Sequence, residues 1–145
     1  MRQLNGIQKA KMISGSETVI RLVFAVLAGG VIGLEREVVH KPAGIRTHML
    51  VSLGSALFVL ITLETLPNEV ARIVAGVATG VGFLGAGTIF RTKSEVQGLT
   101  TAASVWTVAA LGLAIGLGYY LIMVVSVLLI LVILHLNKFK FFSQL

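Results

Sequence analysis

The sequence contains no cysteine, which excludes disulfides, thiolate nucleophiles and cysteine-ligated zinc. Aspartate is also missing, so the 6 acidic residues are all glutamates. Without aspartate no Ser-His-Asp set can be assembled, and His48 with Glu35 is too little to indicate hydrolysis. Many magnesium and calcium sites draw on carboxylates, so a dedicated cation cage would be poorly supplied here. Charge is scarce as well. Only 12% of the 145 residues are charged, against about 25% in an average soluble domain. A soluble chain of this length would need about twice that charge to coat its surface. Soluble enzymes are thereby excluded, and no catalytic residue, cofactor or metal site is expected.

What is present is apolar. Hydrophobic residues make up 56% of the chain and the mean hydropathy is +0.95, the composition of an integral membrane protein. The net charge of +6 fits cytoplasmic loops and anionic headgroups, and no nucleic-acid partner is expected. Charged residues divide the chain into spans. Between Arg46 and Glu64 lie 17 uncharged residues, between Arg72 and Arg91 lie 18, and from Val96 to Asn137 there are 42. The last stretch would be roughly 63 Å long as helix, twice the thickness of a bilayer core. It makes two crossings, turning at Gly116, Gly118 and the Tyr119-Tyr120 pair.

Arg21 interrupts the first span, but its long side chain can snorkel to the near headgroups. A cleaved signal peptide is the competing reading of this segment, and retention is favoured because distinctive residues follow directly. The expected fold is an all-α polytopic transmembrane bundle of about five spans, at 18–34, 47–65, 71–90, 99–117 and 119–136, with four as the alternative. An N-terminal tail (1–17) and a short C-terminal tail (138–145) flank a membrane domain at 18–137. Seven Lys and Arg follow spans one, three and five, and five lie on the other side. That count favours an external N-terminus and a cytoplasmic C-terminus, although the first helix taken alone points the other way.

Glycines recur at small-xxx-small spacing, as Gly29/Gly33, Gly76/Gly80 and Gly112/Gly116, with Gly82, Gly85 and Gly87 following in the third span. Such faces let helix backbones approach closely in lipid, so these residues are expected to pack the bundle. Alternatively, the run Gly82-Phe83-Leu84-Gly85-Ala86-Gly87 breaks the helix and opens backbone groups to a cavity. It is not a phosphate loop, having neither the strand-turn-helix setting nor the lysine. Leu121–Leu136 contains no glycine and reads as a lipid-facing outer helix.

Polar residues gather beside the spans. Glu35, Arg36 and Glu37 alternate in charge, which favours mutual pairing near a membrane. Lys41-Pro42-Ala43-Gly44 should form a short, fixed connection. Thr47 is a candidate N-cap for the second span, as Thr100 or Thr101 is for the fourth. His48 suits an interfacial hydrogen bond or, alternatively, a proton relay. Thr100, Thr101 and Ser104 can bond to neighbouring helices, and Trp106 is expected to pack within the bundle with its N–H on a polar partner. Arg72 has Glu64 or Glu69 as a structural ion-pair partner.

Four blocks, in order, resemble one family. They are Gly-Leu-Glu-Arg-Glu (33–37), Lys-Pro-Ala-Gly-Ile-Arg-Thr-His (41–48), Gly-Phe-Leu-Gly-Ala-Gly (82–87) and Gly-Leu-Thr-Thr-Ala-Ala (98–103) with Trp106. Together they resemble the bacterial MgtC/SapB membrane proteins over about residues 20–136. The resemblance implies a bacterial inner-membrane protein linked to magnesium homeostasis and, in pathogens, to virulence and survival in macrophages. Better-studied members look like regulators that restrain the proton-translocating ATP synthase. They also carry a cytoplasmic C-terminal domain, so a short, SapB-like member is the nearer match. The signature falls on Glu35, Arg36, Arg46, Thr47, His48, Gly82, Gly85, Gly87, Thr100, Thr101 and Trp106. With Arg91, the polar members are expected to converge into one cluster at the cytoplasmic face. The function expected is a non-catalytic regulator that binds another membrane protein, with a homo-oligomer possible; a Mg2+ transporter or channel is the alternative.

Overall fold

A computed structural model describes residues 13–93 and 95–136. Five helices follow one another: α1 (Gly15–Val38), α2 (Ile45–Thr65), α3 (Val70–Ala86), α4 (Leu99–Gly116) and α5 (Tyr120–His135). A 3-10 turn at Pro67–Glu69 leads into α3. Between α3 and α4 stands a small antiparallel hairpin, β1 (Phe90–Arg91) and β2 (Val96–Gln97), in which Phe90 faces Gln97 and Arg91 faces Val96. The fold is thus an all-α membrane bundle. Four segments are long and apolar enough to cross a membrane, the third of them joining the 3-10 turn to α3. The fifth helix has 16 residues, about 24 Å, a little less than a bilayer core.

The helix ends differ from the expected spans for local reasons. α1 begins at Gly15, inside the expected N-terminal tail, because the Ser14 side chain accepts from Glu17 N and caps it. The third helix stops at Ala86 rather than 90, because the chain turns at Gly87–Thr88 and commits residues 90–91 to the hairpin. It runs unbroken through Gly76, Gly80, Gly82 and Gly85, so the broken-helix alternative is not what forms. Neither expected threonine cap forms. α2 starts at Ile45, whose N–H donates to Glu37 Oε2 at 2.8 Å, so a carboxylate from the preceding helix does the capping. α4 starts after Gly98, which leaves Thr100 and Thr101 in its first turn.

α4 is the centre of the bundle, with α1, α2 and α3 around it. The core joins Ala25, Ala28 and Ile32 of α1 to Ala56 of α2 and to Val108, Leu111 and Ile115 of α4. Lipid is as apolar as these side chains, so close backbone approach and van der Waals contact hold the helices together. Glycine makes that approach possible. A Cβ on Gly112 would lie 2.2 Å from Ser52 O, and one on Gly29 would lie 2.5 Å from His48 O. A Cβ on Gly33 would meet Ile45 Cα at 2.6 Å, and Gly85 sits against Ala102. Gly76, Gly80 and Gly82 differ: a Cβ there meets nothing within 4 Å, so they pack no helix among the described residues. α5 presents Leu121, Leu128, Leu129, Val132 and Ile133 outward, as expected of an outer helix.

Arg21 is engaged by its neighbours in the bundle. Its guanidinium donates to Gly116 O at 2.7 Å and to Glu17 Oε1 at 2.8 Å, and Tyr120 OH donates to the same carboxylate at 2.5 Å. This ties α1 to the C-terminus of α4 and the start of α5, where a cation complements the helix dipole. Gly118 has a φ of +85°, and a side chain there would strike the Arg21 guanidinium.

Candidate functional site

The polar residues separate into a buried group and an exposed one. His48 is fully buried, because Gly29 and Gly33 bring α1 against the first turn of α2. Its Nδ1 lies 2.9 Å from Gly44 O and its Nε2 lies 3.1 Å from Ser104 Oγ. A carbonyl only accepts, so Nδ1 carries a proton in the first contact. The Ser104 hydroxyl also lies 2.8 Å from Thr101 O, to which it donates. With a neutral ring, Nε2 accepts and that hydroxyl must choose between the ring and the carbonyl. His48 is therefore the polar pin between α2 and α4.

Arg36 is 3% exposed and pairs with Glu35 on the same helix. A buried pair of this kind resists removal of either partner, because the survivor would be an uncompensated charge. Thr101 and Ser104 are buried on the facing side of α4. Arg36, Glu35, His48 and Thr101 thus lie inside one end of the bundle. Arg46 and Thr47 are exposed on α2, Arg91 is exposed on β1, and Thr100 is exposed in the first turn of α4. These four share that end of the molecule and lie on its surface, so one compact cluster does not form. Trp106 donates from Nε1 to Ala78 O at 3.2 Å, the polar partner expected of it, yet 48% of it is exposed. It bridges α4 and α3 from outside instead of packing within the bundle. At the opposite end Arg72 pairs with Glu69 at 3.0 Å, in a solvent-facing position.

Three features escaped the sequence reading. Glu37 acts as the cap of α2, although its alternating charges suggested only ion pairing. His40 adopts a φ of +55° and ends α1: its N–H reaches Glu37 O, and Lys41 N–H reaches Arg36 O. This is the double bond of a Schellman turn, with histidine at the position glycine usually takes. Ser52 is buried in α2 with no hydrogen-bond partner for its hydroxyl among the described residues. Among the described residues no group of three or more His, Cys, Asp or Glu is placed to hold a metal ion. The arrangement suits structure and recognition: one polar pin, one buried ion pair and two open hollows.

A hollow of about 530 Å³ lies between α2 and α3, lined by Leu50, Gly54, Phe58, Gly76, Gly80 and Leu84 among others. Another, of about 490 Å³, lies between the α1–α2 connection and the N-terminus of α4.

The sequence model of the MgtC family matches residues 22–140. The chain is 40% identical to YhiD of Escherichia coli (strain K12), named as a proposed magnesium transporter, over 89% of this chain and 66% of that protein. It is 46% identical to protein SrpB of Synechococcus elongatus, over 69% of this chain and 63% of SrpB. With protein MgtC of Salmonella typhimurium (strain 14028s) it shares 43% identity, over 70% of this chain and 44% of MgtC. The chain thus spans between under half and about two thirds of the length of these relatives. No solved structure matches it. The chain is a multi-pass membrane protein and belongs to the MgtC family.

Proposed function

We propose that this protein is a non-catalytic component of the bacterial inner membrane that serves ion and magnesium homeostasis, or membrane energetics, by docking onto another membrane protein. Its N-terminus is external and its C-terminus cytoplasmic in this reading, as the basic-residue count favours. The magnesium link comes from the family and from the name given to YhiD. The partner implied by the family resemblance is the proton-translocating ATP synthase.

The observation that carries the docking reading is the hollow between α2 and α3. Glycine costs a helix roughly 1 kcal/mol relative to alanine. Gly54, Gly76 and Gly80 line this hollow, and a Cβ on any of them would meet nothing within 4 Å. That cost is not offset by close packing within the described chain. A helix from a neighbouring protein laid into the hollow would offset it, since small residues allow close approach in lipid.

Conduction of Mg2+ is the weaker reading on the acid side. A path for the ion wants oxygen ligands facing a cavity. Here Glu17 is held by Arg21 and Tyr120, Glu35 by Arg36, Glu37 by Ile45 N–H and Glu69 by Arg72, while Glu64 and Glu95 are exposed and line neither hollow. The test is a photo-crosslinker at position 80 in native membranes, with and without Gly76→Leu. A crosslinked membrane partner that disappears in the leucine variant is the expected result. Crosslinks to a second copy alone would replace the partner with a homo-oligomer, and no crosslink at all would refute docking here.

A further inference from the structure

The hollow at the N-terminus of α4 is not used by the docking reading, and we propose that it binds a phosphate group. Gly98 is the N-cap of α4, with a φ of +89°, and it contributes no side chain to cap the helix. No capping residue can replace it, since a Cβ there would lie 1.9 Å from Thr88 O. The first intrahelical bond runs from Ala102 N–H to Gly98 O at 2.9 Å. The N–H groups of Leu99, Thr100 and Thr101 therefore have no acceptor among the described residues. An 18-residue helix presents the positive end of its dipole at this point.

The second observation is Thr101. It is 1% exposed, it lines the hollow, and its hydroxyl makes no hydrogen bond among the described residues. A bound oxyanion in the hollow would accept a hydrogen bond from this hydroxyl. The remaining polar lining consists of Thr100, Gln97, His40 and Lys41. Lys41 makes no ion pair among the described residues, so its charge is available. The nearby hairpin adds Arg91 and Lys93, with Glu95 as the one opposing charge on it.

A phosphate suits this set better than a carboxylate. Several backbone N–H groups, two hydroxyls and an ammonium supply more donors than a carboxylate's two oxygens distribute well, whereas a tetrahedral phosphate meets them from several directions. The hollow is much larger than one phosphate, and Pro42, Phe90, Val96 and Leu99 give it an apolar wall. A phosphate ester, with its carbon part on that wall, fills it more fully than the free ion. Two sources share this chemistry: a phospholipid headgroup at the end of the bundle, and soluble phosphate.

The test uses the purified full chain in a phosphate-free maltoside detergent, followed by phosphorus NMR and by thermal shift. One arm is titrated with inorganic phosphate and the other with a short-chain phosphatidylglycerol. Saturable binding is expected in at least one arm. It should weaken about tenfold in Lys41→Gln and in Thr101→Val, the scale of one lost charge-assisted contact, and stay unchanged in Arg72→Gln at the opposite end. Binding of the lipid alone identifies a headgroup site, and binding of phosphate in its own arm identifies a site for the soluble ion. Absence of binding in both arms, or binding that Lys41→Gln leaves intact, overturns the proposal. Lys41 is exposed, so its variant is informative even if Thr101→Val fails to fold.

Discussion

Replacing Gly112 by alanine should damage this protein, although alanine is the better helix former. The added Cβ would lie 2.2 Å from Ser52 O, 2.9 Å from Ser52 C and 3.0 Å from Ser52 Cα. All three are backbone atoms of α2, so no flexible side chain can yield. To restore ordinary contact, α2 and α4 must part by about 1 Å. A gap of that size forfeits a quarter to a half of each van der Waals contact it opens. Overpacking of this kind costs about 1–3 kcal/mol and sometimes more. This contact lies at the centre of the bundle, so the upper part of that range applies. The gain in helix propensity returns about 1 kcal/mol. The net loss is about 2 kcal/mol, or roughly 6 °C in Tm for a chain of this size. Gly80→Ala is the internal control: its Cβ meets nothing within 4 Å, and the same propensity gain should raise Tm by about 3 °C. Thermal unfolding in detergent, followed by circular dichroism, measures both. If the two variants moved Tm alike, the close α2–α4 approach would not be what holds the bundle.

Other variants probe the remaining devices. His40→Gly should raise Tm by about 3 °C, because a left-handed backbone costs an L-residue roughly 1 kcal/mol or more and glycine nothing; a lower Tm would mean that the imidazole makes a stabilising contact. Arg21→Gln should lower Tm by about 3 °C and loosen α5, since the guanidinium joins Glu17 to Gly116 O; faster amide exchange at the start of α5 is the companion readout. Ser52→Ala should leave Tm unchanged or raise it, because the buried hydroxyl has no partner to lose; a clear fall would reveal one.

The sequence was most legible where a single physical quantity decides the outcome. Charge-free runs located α2 and α4 closely, because bilayer thickness and backbone satisfaction leave few choices for such runs. The end of α3 was misplaced because residues 87–90 are as apolar as the helix before them. What stops the helix is backbone pairing of Phe90 with Gln97 and of Arg91 with Val96, which hydropathy does not register. The glycines show a second limit. Gly29/Gly33 and Gly76/Gly80 have the same spacing, yet the first pair touches α2 and the second faces an open hollow. Only the tertiary arrangement decides which small face receives a neighbour. Likewise His48 and Arg46 sit in one turn, and the direction each faces separates a buried pin from a surface charge.

The central claim, docking in place of conduction, is tested most directly by Mg2+ entry into proteoliposomes. The purified, verified-folded chain would be reconstituted around a Mg2+-sensitive dye and an inward potential applied. The account predicts entry no faster than into empty liposomes. Saturable entry above that background would contradict it and make this protein a transporter.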